Sequence, residues 1–138
     1  MPALDRLRGT RVVADAVALD ALLTALPATA LALRFAPDDV FVIDVYAGAI
    51  DVADGHAIVV DEAGFVGGWG ALDDIVPHIE WQLPTERPVL AQGSIAGVPA
   101  KLWLPGDGAG EGHGDGAVLV VTAAAYADTL GERLGWRA

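Results

Sequence analysis

Leu19, Leu22, Leu23 and Leu26 recur at i, i+3, i+4 and i+7, the spacing of one helix face, with Asp15 ahead as a cap and Pro27 directly behind. The pattern predicts a helix over residues 15–26, preceded by a loose N-terminal arm over about residues 1–11. Residues 30–35 and 40–46 read as two strands, and Ala36-Pro37-Asp38-Asp39 between them carries turn chemistry, so this is a hairpin. After an ambiguous stretch at 50–55, the Asp54-Gly55 turn leads into a short β-branched strand at 56–60. Gly64, Gly67, Gly68 and Gly70 read as a loop, and the helical stripe Leu72, Val76 and Ile79 follows. Pro77 fits only the first turn of a helix, which predicts a short one capped by Asp73 or Asp74. A second hairpin is predicted from strands 89–95 and 100–104, turning through Ala96-Gly97-Val98-Pro99. A flexible glycine-rich loop over 105–116 leads to the uncharged strand 117–121. Ala123, Tyr126, Leu130 and Leu134 then mark a last helix, capped by Thr122 and ended by Gly135.

Antiparallel hairpins with segregated helices define an α+β class, a largely antiparallel sheet with helices packed on one face. A chain of 138 residues suits a single domain, 1–138, able to bury a core. With 19 acidic against 8 basic side chains and a pI of 4.3, the protein lacks the clustered Lys and Arg that phosphate neutralisation needs. Nucleic acid and anionic membrane surfaces are therefore not expected as partners. The absence of cysteine excludes disulfides, thiolate-bound zinc, iron–sulfur clusters and a cysteine nucleophile. Arg6, Arg8 and Arg11 followed by apolar residues come nearest to an export signal, but Asp15, Asp20 and Pro27 interrupt the run, and no stretch is long and apolar enough for a bilayer span. A cytoplasmic location is the expectation.

His56-Ala57-Ile58-Val59-Val60, the hairpin from Leu90-Ala91-Gln92-Gly93 to Lys101-Leu102-Trp103-Leu104, and Val118-Leu119-Val120-Val121-Thr122 with Ala125-Tyr126-Ala127 appear in an order that resembles the small gamma subunit of heterotetrameric sarcosine oxidase and its glycine-cleavage T-protein relatives. The resemblance spans about residues 29–135. It implies an α+β domain of the folate-binding-enzyme type, serving as an accessory chain. No family motif places a functional residue here. Eleven acids with no Lys or Arg from Phe35 through Glu86, and the glycine-rich stretch after Pro105, depart from the family pattern.

Chemistry-bearing residues are sparse. Residues 106–116 carry glycine at every even position, yet Glu111 stands where G-x-G-x-x-G needs its third glycine, and the flanks are strand to strand. Calcium-loop spacing fails there too, which leaves adventitious metal binding through Asp107, Glu111, His113 and Asp115 against a solvated connection. His78 and Glu80 would point two ligating side chains to one face of a strand, and a metal site would need further ligands from another segment. Ser94, the only serine, lacks the spacing of a nucleophile elbow, so no catalytic residue is assigned. The closely spaced Gly67 and Gly68, with Trp69, are candidates for backbone approach to a small ligand. Trp81 and Trp136 are candidates for an interface, and Trp103 for the core.

Three functions stay open. The first is a non-catalytic accessory or interaction domain that acts through a protein partner or as a homo-oligomer, without a cofactor. The second is a small-molecule binder or enzyme with a pocket near the loop at 64–70. The third is a metal-dependent hydrolase.

Overall fold

A computed structural model describes residues 2–106 and 116–138. The chain divides into two compact units, Leu7–Gly64, and the described residues of Met1–Arg6 with Phe65–Ala138. The glycine-rich stretch at 107–115 lies outside the described residues.

In Leu7–Gly64 the strand order is β2-β3-β1-β4, with β1 at Asp5–Val13, β2 at Leu31–Ala36, β3 at Asp39–Ile43 and β4 beginning at Ile58. The β1–β3 and β2–β3 pairings are antiparallel. Residues 5–13 are thus a strand where a loose arm was expected. The reason is an alternation that the arginines hide: Thr10 and Val12 are buried while Gly9, Arg11 and Val13 face the other way. Helix α1 (Ala16–Ala25) starts where the Asp15 carboxylate accepts the Val17 amide and stops before Pro27. Its buried Leu19 and Leu22 close over Val12, Val40 and Val42. Leu19 is fully enclosed, and burial of such a side chain contributes about 2 kcal/mol. The β2–β3 turn is tighter than expected, because Ala36 pairs with Asp39 and leaves only Pro37 and Asp38 between the strands.

In the other unit the order is β4-β7-β6-β5, with β4 (Ile58–Ala71) supplying its second half, β5 at Val89–Ile95, β6 at Val98–Leu104 and β7 at Ala117–Ala123. The β4–β7, β5–β6 and β6–β7 pairings are antiparallel. The glycine segment at 64–70 is therefore strand, where a loop was expected, and the short strand at 56–60 is the start of the same 14-residue element. The β5–β6 hairpin matches its expected start and end, but it turns through two residues, Ala96 (φ 51°) and Gly97 (φ 77°). Two successive left-handed residues are the requirement of the tight hairpin turn whose twist matches its strands. Helix α2 (Leu72–Ile75) continues as a 3-10 turn through His78, and Pro77 sits in that turn. Neither Asp73 nor Asp74 caps it, since both lie in its first turn and Ala71 holds the cap position.

Helix α3 (Ala127–Leu134) follows a 3-10 turn at Ala124–Tyr126 and ends at left-handed Gly135. Thr122, expected as its cap, instead donates its hydroxyl to the Pro99 carbonyl at 2.8 Å. Leu130 joins Val66, Ile75, Leu102, Leu104, Val118 and Val120 in the core of this unit.

Asp15→Ala removes the only side-chain cap of α1 and should lower the unfolding free energy by about 1 kcal/mol. Gly97→Ala, which forces a Cβ into left-handed backbone, should cost a similar amount, about 1–2 kcal/mol. Urea unfolding of both variants checks the two values.

Candidate functional site

Gly67, Gly68 and Trp69 lie on β4 opposite Val121, Val120 and Leu119 of β7. A Cβ on Gly68 would come within 2.1 Å of the Ala3 carbonyl oxygen and 3.2 Å of the Trp136 ring. One on Gly70 would meet that ring at 2.4 Å. Alternation puts Gly68 and Gly70 on one face, and together they form a bare strip of backbone on which the Trp136 indole lies. The close approach that bare backbone permits is thus taken, at Gly68, by the chain's own atoms. Trp136, a candidate interface residue, is buried in its own unit, and its amide donates to the Gly131 carbonyl at 2.8 Å. Its neighbour Arg137 ties the two ends of the described chain together: the Arg137 amide donates to Pro2, and the Leu4 amide donates to Arg137. Trp103 is half-buried, where core burial was expected.

The same device recurs on β5. Trp81 packs against Gly93, where a Cβ would stand 2.7 Å from indole Cε2 and Nε1. Its Nε1–H donates to the Ser94 carbonyl at 2.8 Å, and the Ala96 amide donates to the His78 carbonyl at 2.7 Å. These bonds lay residues 78–81 along the end of β5 and satisfy backbone groups that a sheet edge would otherwise expose. A depression of 580 Å³ results, lined by Pro77, His78, Glu80, Trp81, Ser94, Ala96 and Gly97. Both members of the candidate metal pair border it. Among the described residues no group of three or more His, Asp or Glu forms a metal-binding set.

Unit Leu7–Gly64 holds a cluster that sequence reasoning missed. The Arg11 guanidinium donates to both Asp39 oxygens, at 2.5 and 2.6 Å, and to Glu62 at 3.1 Å. It also stacks 4.9 Å from the centre of the Phe35 ring. The bonds to Asp39 hold its proton more tightly than usual, against the opposing effect of burial. The signal was the alternation of β1, which places Arg11 opposite Phe41 of β3. Beside the cluster a depression of 380 Å³ is lined by Arg8, Gly9, Asp44, Val45, Tyr46, Asp61, Glu62 and Ala63. Asp44 holds a left-handed backbone (φ 62°), and Asp61 accepts the Ala47 amide at 3.3 Å. The Thr10 hydroxyl, fully buried, donates to the Val45 carbonyl and anchors this loop from beneath.

Compared with protein-family models, curated proteins and solved structures, the chain matches none of them.

Asp54 organises the turn at 51–57 by accepting the amides of Asp15 and His56, each at 2.9 Å. The bond from Asp15, followed by that from His56, lowers its pKa below the ordinary carboxylate value. A depressed folded-state pKa gives stabilisation that is complete above the unfolded value and is lost as pH falls through the folded one. Asp54→Asn should therefore flatten the acid limb of stability against pH. Urea unfolding between neutral and strongly acid pH reads this, and an unchanged limb contradicts it.

Proposed function

We propose that the protein acts by binding another protein chain, and that the contact lies on unit Leu7–Gly64. The observation that carries this reading is the exposure of its apolar side chains: Val17 (73%), Tyr46 (72%), Ile58 (56%) and Val60 (48%). Ile58 and Val60 are two residues apart on β4 and so share a face. This unit has nine acidic side chains against three arginines, and two of the three, Arg11 and Arg34, are already bonded to Asp39, Glu62 and Asp20 within it. Most of its negative charge is left for solvent or a partner. Exposed apolar side chains on an acidic unit suit a partner that combines an apolar patch with Lys or Arg, because charge complementarity speeds encounter and fixes register. A second copy of the same acidic surface is disfavoured by like-charge repulsion. The accessory-subunit role implied by the resemblance to the sarcosine oxidase gamma subunit belongs to this reading.

Native mass spectrometry of untagged protein, purified gently from its own host, tests the proposal. The expected spectrum contains a heteromeric mass that dissociates as ionic strength rises, and that Ile58→Asp with Val60→Asp removes. A chain that stays monomeric at every concentration and retains no partner overturns it.

A further inference from the structure

We infer that the cleft at the end of β5 is a binding site for a small organic cation bearing an alkylammonium group. The Trp81 indole packs on the Gly93 backbone, and its only donor is committed to the Ser94 carbonyl. The ring therefore enters the cleft with its orientation fixed and no hydrogen bond left to give, so what it offers a ligand is apolar area and the negative face of its π system. Indole is the strongest of the aromatic faces for a cation. Glu80, exposed on the rim of the same cleft, supplies a carboxylate to face the positive charge. Pro77 and Ala96 add apolar wall, and the 580 Å³ volume falls within the range of about 300–1,000 Å³ that small ligands occupy.

Charge and shape together choose among ligand classes. A metal ion would find His78 and Glu80 but, among the described residues, no third His, Asp or Glu to complete a set. An anion would meet Glu80, and no arginine or lysine lines the cleft, the Arg133 guanidinium beside the turn being bonded to the Ala96 carbonyl. A neutral apolar ligand would gain the indole alone, whereas an alkylammonium ion, with methyl groups that rest on the ring, also gains the attraction of the Glu80 carboxylate. The floor is rigid as well: the Ala96-Gly97 turn is pinned by the Ala96 amide to His78 and by the Arg133 guanidinium to the Ala96 carbonyl. A fixed ring on a fixed turn reduces the ordering cost of binding.

Choline and its uncharged tert-butyl isostere, titrated separately into the full chain, make the test, with the Trp81 indole N–H resonance followed by NMR. Trp81→Phe identifies that resonance by its loss, and Glu80→Gln, at an exposed side chain, leaves the fold intact. The expected result is a saturable shift with choline, a much weaker response to the isostere, and an affinity about fivefold lower in Glu80→Gln. The inference is overturned by the absence of a saturable shift, by an equal response to both probes, or by an affinity that Glu80→Gln leaves unchanged.

Discussion

An indole can lie on a β-strand only where the strand carries no side chain, and the unit containing β4 to β7 is built around that constraint. Gly68 and Gly70 leave the surface of β4 bare beneath Trp136, and Gly93 does the same on β5 beneath Trp81. Much else depends on these contacts. With Trp136 seated, the main chain beside it meets Pro2 and Leu4, and Gly131 in α3 accepts its amide. With Trp81 seated, its N–H caps an edge carbonyl of β5 and one wall of the cleft takes its orientation. Glycine in a strand interior normally weakens the strand. Here the large apolar area of each ring offsets that weakness.

The unit Leu7–Gly64 is organised differently. Its α1 face is a plain apolar core, while the other face of β1 carries Arg11 with Asp39, Glu62 and Phe35. Partly exposed ion pairs contribute little individually, and a bidentate guanidinium shared between two carboxylates adds geometric definition more than energy. Its consequence for the surface is larger. Arg11 and Arg34 are spent inside the unit, so a surface with more carboxylates than cations also exposes Tyr46, Ile58 and Val60, and this combination motivates the association proposal.

What could be read from sequence follows the same physics. Helix α1 was legible because its leucines keep a strict period between an aspartate cap and a proline stop, and the β5–β6 hairpin because β-branched and apolar runs flank a glycine turn. Strand β1 was not, since Arg6, Arg8, Gly9 and Arg11 obscure the alternation of Thr10 and Val12. The later part of β4, at 64–70, was read as a loop because its four glycines look like breakers in isolation; the purpose of Gly68 and Gly70 appears only when residue 136 is brought beside them, a contact that no local pattern encodes. Of the candidate site, His78, Glu80 and Trp81 were each singled out, but as a metal pair and an interface residue. That they line one cleft depends on Gly93 and Ser94, more than ten residues away in sequence.

A double-mutant cycle between Gly70→Ala and Trp136→Ala tests the glycine–indole constraint most directly. A methyl group at residue 70 should cost about 2 kcal/mol or more when the indole stands over it, as overpacking of a filled core does. It should cost almost nothing once Trp136 is truncated, giving a coupling free energy of about 2 kcal/mol by urea unfolding. Costs that simply add, to within about 0.5 kcal/mol, would show that β4 does not depend on bare backbone beneath the ring.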